Sequence, residues 1–275
     1  MMMDRTYPKI SIVTPSFNQG RFIESAIQSV LQQNYANFEH IILDNCSVDQ
    51  TVEILQRYPH LIWQSKPDRG QSDALNQGFR MARGDIIGWL NADDLYLPEC
   101  FERIAAAFAS FPKSDIAYGD YRWIDEQGKI MQLRKELDFD FFMLKYLHVL
   151  YIPSTSTFFK RRIFEEENFL DNSLKYSMDY EFFLRLARQK YRFIHLKSYL
   201  ADFRWHEQNK SLIAYHEQNA EKQEALLRHD RLLQKTPLRI QAAARKLLEL
   251  LARVKRYFLK ASKGYYFEQW QKKSS

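Results

Sequence analysis

Apolar positions in the first hundred residues alternate between two spacings. Short β-branched runs, Ile10–Thr14, Phe38–Leu43, Leu61–Gln64 and Asp85–Leu90, have the length of buried strands. Between them lie stretches with helical spacing. Arg21–Asn34 puts Phe22, Ala26, Ile27, Val30 and Leu31 on one face; Val48–Arg57 follows, then Ser72–Ala82, closed by Gly84. Strands separated by helices imply βαβ units and a parallel sheet. Ligands of such sheets sit beyond the carboxyl ends of the strands. Three polar loops fall at those ends: Pro15-Ser16-Phe17-Asn18-Gln19-Gly20, Asp44-Asn45-Cys46-Ser47-Val48-Asp49 and Asn91-Ala92-Asp93-Asp94. Each alone also reads as a turn or a helix cap. Their common edge marks a site.

Beyond residue 112 the alternation loosens. Tyr118–Leu133 predicts a hairpin turning at Glu126-Gln127-Gly128, Asp138–Leu147 and Met178–Arg188 predict helices, and Thr155–Phe159 and Phe193–Leu196 predict strands. A boundary near Ser211–Tyr215 separates the sheet-bearing body from a helical tail.

Composition narrows the class. The 275 residues suit one large domain, or one domain plus an appendage, and 45% hydrophobic with 27% charged residues excludes disorder as the main state. Two cysteines, Cys46 and Cys100, exclude a disulfide framework or a Cys-rich zinc site. No apolar run approaches the roughly 18 residues that span a bilayer, and MMMDRTYPK lacks a secretory signal's apolar stretch. The expected location is the cytosol. The net charge of +6 is uneven: residues 213–275 carry 14 Lys/Arg against 6 Asp/Glu, residues 1–212 carry 26 against 28. A basic tail on a near-neutral body points to an anionic partner for the tail.

Two adjacent carboxylates, Asp93 and Asp94, follow the apolar strand Ile86-Ile87-Gly88-Trp89-Leu90. They suit a hard divalent cation that keeps positions open for phosphate oxygens. The same residues also fit a solvated turn, with Asp94 capping the helix that Pro98 begins.

The stretch DRGQSDALNQGFRMARGDIIGWLNADD, Asp68 to Asp94, resembles the central signature of family 2 glycosyltransferases. ISIVTPSFNQGRFIESAIQSVLQQNY and DNCSVDQT resemble that family's first two motifs, and similarity runs over roughly residues 9–212. The resemblance implies an α/β architecture: the GT-A, Rossmann-like nucleotide-diphospho-sugar transferase fold with a mixed central sheet, plus a C-terminal helical extension. Residues 1–212 would be the transferase domain, with 1–111 the nucleotide-sugar-binding half and 112–212 the acceptor-binding half. Residues 213–275 would be a basic amphipathic helical tail. The implied reaction moves a sugar from a nucleotide-sugar, a UDP-sugar by expectation, to an acceptor hydroxyl with inversion at the anomeric carbon. The alternative is a non-catalytic nucleotide-sugar-binding or assembly subunit.

The resemblance also assigns roles. Pro15, Ser16 and Asn18 would line the nucleotide pocket. Asp44 would accept the N3–H of uracil, Asp49 would share that loop or cap a helix, and Arg69, Gly70 and Gln71 would close over ribose or phosphate. Asp93 would bind Mn2+ or Mg2+ bridging the diphosphate, Asp94 supporting it or facing the donor sugar. The family's metal motif usually begins with Asp; here Asn91 stands there, as an uncharged ligand or one acting through water. Ser177-Met178-Asp179-Tyr180-Glu181-Phe182-Phe183-Leu184-Arg185-Leu186 resembles the segment bearing the catalytic base, which makes Asp179 the base candidate. Met178 departs from that pattern. The plainer reading caps a helix with Ser177 or Asp179 and pairs Glu181 with Arg185.

Pro153-Ser154-Thr155-Ser156-Thr157 would line the acceptor site. In Phe203-Arg204-Trp205-His206, Arg204 or His206 would offset leaving-group charge, or His206 would be a satisfied polar residue at the domain edge.

In the tail, Ile240, Ala244, Leu247, Leu251, Val254, Phe258 and Ala261 recur at helical spacing among Arg239, Arg245, Lys246, Arg253, Lys255, Arg256, Lys260 and Lys263. Tyr265, Tyr266, Phe267 and Trp270 follow, then Lys272 and Lys273. Such a helix suits an anionic headgroup layer on the inner face of the cell membrane, where a saccharide or lipid-linked saccharide acceptor would reside. Alternatively its apolar stripe packs on the body or another subunit. Nucleic acid is not the expected partner, since no recognition motif accompanies the charge.

Overall fold

The computed structural model describes residues 7–147, 150–207, 209 and 214–265. Tyr266, Phe267, Trp270, Lys272 and Lys273 and most of the expected boundary near Ser211–Tyr215 lie outside them.

Four parallel strands form one side of a nine-stranded mixed sheet. They are β1 (Ile10–Ser16), β2 (Phe38–Asp44), β3 (Leu61–Ser65) and β4 (Ile86–Trp89), in spatial order β3-β2-β1-β4. The sheet continues through β8 (Thr157–Lys160), β6 (Ile116–Ile124), β9 (Phe193–Arg204) and the two-residue β5 (Leu95–Tyr96). β7 (Ile130–Arg134) pairs with β6 beyond the reach of β8. β4–β8, β8–β6, β6–β7 and β9–β5 are antiparallel, while β6–β9 is parallel.

Both faces of β1 are covered, which is why its sequence is apolar throughout rather than alternating. Val13 packs with Ile41, Leu43 and Phe79 on one side; Ile10 and Ile12 pack with Phe101 and Phe158 on the other. Helix α1 (Ile23–Leu31) follows β1, α2 (Thr51–Gln56) follows β2, and α3 (Gln71–Met81) links β3 to β4. α3 lies so close to the sheet that a Cβ at Gly78 would stand 2.3 Å from Val13 Cγ1. Helix α4 (Cys100–Ser110) covers the other face.

The later half departs from expectation in one strand. β9 continues eight residues past Leu196 to Arg204. Its pairing with β6 shifts twice, from Gly119↔Leu196 to Asp120↔Tyr199 and then to Tyr121↔Ala201, leaving Lys197, Ser198 and Leu200 out of the register in a bulge. Three extra residues, an odd number, invert the alternation of faces, so the strand reads as ended where it only kinks. Helices α5 (Phe141–Tyr146), α6 (Arg162–Glu165) and α7 (Met178–Arg188) complete the body.

The C-terminal extension forms α8 (Tyr215–His229), α9 (Arg231–Lys235) and α10 (Leu238–Ser262). α10 docks on α5 and the segment after β7, largely through charge. Lys255 bonds Asp140, Arg256 and Lys260 each approach Glu136 at 3.1 Å, and Lys263 reaches Asp138 at 2.8 Å. Glu136 has a fully buried side chain, so these cations compensate a charge that burial would otherwise penalise heavily. Among the described residues only Ala252 and Leu259 join the core from this helix. Ile240, Leu247, Leu251, Val254 and Phe258 remain 43–65% exposed. The alternative in which the apolar stripe packs on the body is therefore corrected: the basic side docks and the apolar side faces outward. Among the described residues no helix is long and apolar enough to cross a membrane.

Candidate active site

A cleft of about 610 Å3 opens beyond the carboxyl ends of the parallel strands. Its lining brings together Pro15, Ser16, Asn18, Gly70, Gln71, Asn91, Asp93, Asp179 and His206. Asp44, Arg69, Asp94 and Arg204 do not line it, although all four adjoin residues that do.

The first two loops are tied to each other. Asn18 N–H donates to Ser47 Oγ at 2.7 Å, and Val48 N–H donates to Asn18 Oδ1 at 3.0 Å. Asp49 accepts from Gly20 N–H at 2.8 Å and from Thr51 N–H at 3.0 Å, so it binds the loops together and braces the turn into α2, whose N-cap is Gln50. Asn18 (φ 51°) and Cys46 (φ 52°) hold left-handed backbone, which Asn tolerates more readily than Cys. Asp44, 2% exposed, accepts from Ser47 N–H at 3.0 Å, Ser47 Oγ at 2.5 Å and Ser65 Oγ at 2.6 Å. Gly70, at φ 115°, turns the chain into α3 in a conformation that disfavours any side chain. Arg69 points away, paired with Asp73 at 2.8 Å with its side chain 76% exposed.

The third loop is organised around Asn91. Its Oδ1 accepts from Trp89 Nε1 at 2.9 Å and Gln71 Nε2 at 3.0 Å, and its amide N donates to Asp94 Oδ2 at 3.0 Å. Both lone pairs of that oxygen are thus engaged, and Asn91 in this arrangement braces the loop rather than offering a ligand. Asp94 is buried and accepts also from Thr155 Oγ1 (2.5 Å) and Arg204 N–H (2.9 Å). Burial, then the neighbouring Asp93 charge, raises its carboxyl well above the usual range. Arg204 spends its guanidinium on the carbonyls of Asp93, Asp125 and Glu126, at 2.9–3.1 Å. It fixes the strand end instead of facing the cleft.

Asp93 differs from its neighbours. Its Oδ2 lies 2.9 Å from His206 Nε2, while its Oδ1 has no hydrogen bond among the described residues and belongs to a side chain 17% exposed. Among the described residues no three His, Cys, Asp or Glu side chains gather to cage a metal. One carboxylate with an uncommitted oxygen fits a cation that takes its other ligands from diphosphate and water, as Mg2+ commonly does. The residues present fit such an ion through Asp93.

Asp179 sits in the first turn of α7 and lines the same cleft. Its Oδ1 accepts from Tyr180 N–H at 2.7 Å. Burial raises its pKa, with the Lys222 charge opposing. Helix pairing also holds: Glu181 bonds Arg185 at 2.9 Å, with His229 at 2.8 Å.

Several lining residues escape sequence reasoning. Asn45 holds the third strand's loop by accepting from Asp68 N–H at 2.9 Å, and both lie within quoted motifs. Tyr176 precedes the Asp179 motif. Gln218, from α8, has no local signal, since only the folding of the extension carries it to the cleft.

The family described as glycosyl transferase family 2 matches residues 11–167. An uncharacterized glycosyltransferase of Rickettsia typhi is 31% identical over an alignment of 198 residues that covers 68% of this chain and 61% of that protein, so the chain spans about three-fifths of that relative. The fold is that of S. aureus TarS 1-349 in complex with UDP-GlcNAc (TM-score 0.60, 17% identity, 89% of this chain and 79% of that one). It is also that of the mannosyltransferase PcManGT from Pyrobaculum calidifontis in complex with GDP-Man and Mn2+ (TM-score 0.62, 17% identity, 95% and 76%). The mixed sheet with its terminal strand loops is thus the GT-A fold.

Proposed function

The chain belongs to glycosyl transferase family 2, and on that premise we propose that it is an inverting glycosyltransferase using a UDP-sugar. One observation carries the reading: Asp93, with an uncommitted carboxylate oxygen, and Asp179, with a raised pKa, line one cleft at the strand ends. The first two loops would hold the nucleotide, with Pro15, Ser16 and Asn18 beside it. Asp44 does not line the cleft but adjoins Asn45, which does, and three of its roughly four lone-pair positions are taken, so the imide N3–H of uracil would have to meet the fourth. The acceptor hydroxyl attacks the anomeric carbon as the bond from that carbon to the diphosphate oxygen breaks, and Asp179 takes the hydroxyl proton. A carboxylate shifted upward by burial is a better base for that step than an ordinary one. Asp93 would hold Mn2+ or Mg2+, which supplies Lewis-acid stabilisation of the departing diphosphate when bound. His206, against Asp93, would orient that carboxylate.

The outward apolar face of α10 supports peripheral attachment to an anionic membrane. Lys246 and Arg253 flank that face, as basic residues flank the apolar side of interfacial helices. A lipid-linked saccharide acceptor at the cytoplasmic surface fits this placement, and synthesis of a bacterial surface polysaccharide fits such an acceptor.

Calorimetric titration of UDP, GDP and CMP, each with and without Mn2+, tests the donor class. Binding of UDP strengthened by Mn2+ is the expected result. Failure of all three to bind would favour a non-catalytic assembly subunit instead.

A further inference from the structure

The base candidate stands at the start of a helix that does not cap itself. Ser177 is the N-cap of α7, yet its side chain makes no capping bond. A carboxylate from the C-terminal extension instead binds the turn that leads into the helix. Glu221 of α8 accepts from Lys175 N–H at 2.9 Å, Tyr176 N–H at 2.8 Å and Ser177 N–H at 2.9 Å. Three charge-assisted bonds from successive amides fix the turn that leads directly into Asp179. Reciprocal bonds close the junction: Ser177 Oγ donates to the Gln218 carbonyl at 2.8 Å, and Gln218 Nε2 donates to the Tyr176 carbonyl at 3.0 Å. Further along, His229 meets Glu181 at 2.8 Å, so α8 grips α7 at two levels.

We propose that α8 is part of the acceptor-side machinery, with Glu221 a positioning residue that holds Asp179 where it can take the acceptor proton. This rests on the reading of Asp179 as the base. The extension is then a structural component of the reaction centre as well as a candidate membrane contact, although it lies wholly beyond residue 167, where the family match ends.

The electrostatics agree with the geometry. Asp179 feels two charges from α8, Lys222 and Glu221, while Lys175 lines the same cleft. Burial and the Glu221 charge raise its pKa, and Lys222 lowers it. Burial also lowers the Lys222 pKa, with Asp179 opposing. A displaced base costs rate steeply, because a misplacement of about 1 Å can cost about a hundredfold.

The test uses the full chain with aspartate 13C-labelled at its side-chain carboxyl, the Asp179 resonance being identified by its loss in Asp179→Asn. In Glu221→Gln, which keeps size and removes charge, the Asp179 titration midpoint should move to lower pH. UDP release from UDP-GlcNAc should fall about ten- to a hundredfold, while the Kd for UDP stays that of the wild type. Glu221→Asp should recover part of the rate. An unmoved Asp179 midpoint overturns the inference whatever becomes of the base assignment. Parallel loss of UDP binding and turnover also overturns it, since Glu221 would then serve stability alone. Wild-type turnover in Asp179→Asn removes the base assignment and this inference with it. If Glu221→Gln does not fold, Ser177→Ala, which removes the bond to Gln218, carries the same turnover and UDP-binding comparison.

Discussion

The two ends of the cleft are built in different ways. The proposed donor end comes from loops that directly follow β1, β2, β3 and β4, each within a few residues of its strand, and tied to one another by Asn18, Asp49, Asn45 and Asn91. The proposed acceptor end is gathered from Ser154, the turn before α7 and helix α8, which are separated by long stretches of chain. A set of strand-end loops is a local design, which a parallel sheet positions automatically. On the proposed reading the acceptor end is completed by docking of α8, which brings Gln218 to the cleft and Glu221 to the turn before Asp179. The donor end should therefore tolerate changes in the extension, and the acceptor end should not.

The largest separation of the two is expected from Asp179→Asn. Turnover should fall by about a hundred- to ten-thousandfold, measured as UDP release, with UDP affinity unchanged. In the wild type, the acid limb of the rate profile should lie above the ordinary carboxylate range, because burial raises the Asp179 pKa. A profile flat down to the usual range would mean that another group takes the proton.

Deleting residues 238–275 tests the docking of the extension. It strips Glu136 of Arg256 and Lys260, leaving Arg134 at 3.8 Å. Breaking a buried pair by removing one side costs about 3–5 kcal/mol, so the urea midpoint should fall markedly; an unchanged midpoint would mean that the body does not need α10.

Gly70→Ala probes the donor end alone. An added Cβ meets nothing within 4 Å, so only the positive φ resists it. A cost of about 1–3 kcal/mol is expected, read by chemical denaturation, with the Asp179 titration unmoved.

The smallest effect concerns stability against pH. The folded pKa of Asp179 is raised above its unfolded value, so its ionisation opposes folding. That penalty is absent below the unfolded pKa and complete above the folded one. Asp179→Asn should hence raise Tm at neutral pH, and the gain should vanish in acid.

The same asymmetry governs what the sequence discloses. The four strands and three helices of the first ninety residues appear where their spacing predicts, with ends shifted by a turn or less, because each is long enough to show its own period. β5, only two residues long, has no period to show. β9 is hidden by its bulge. At the site, the resemblance to family 2 glycosyltransferases points to Asp93 and Asp179, and the structure brings both to one cleft. They do not disclose that Trp89 and Gln71 occupy both lone pairs of Asn91, or that Arg204 turns to backbone carbonyls. Those are properties of side-chain orientation, settled by neighbours distant in sequence. Glu221 is illegible for the same reason: a lone carboxylate on a helix acquires meaning only from the three amides it meets.

The most direct test of the division between the ends is UDP titration, with and without Mn2+, of three proteins: wild type, Asp93→Ala and Asp179→Asn. The expected result is that Mn2+ strengthens UDP binding to the wild type and to Asp179→Asn alike, and has no effect on Asp93→Ala. Undiminished Mn2+ dependence in Asp93→Ala, or its loss in Asp179→Asn, would contradict the assignment of metal and donor to one end and the base to the other.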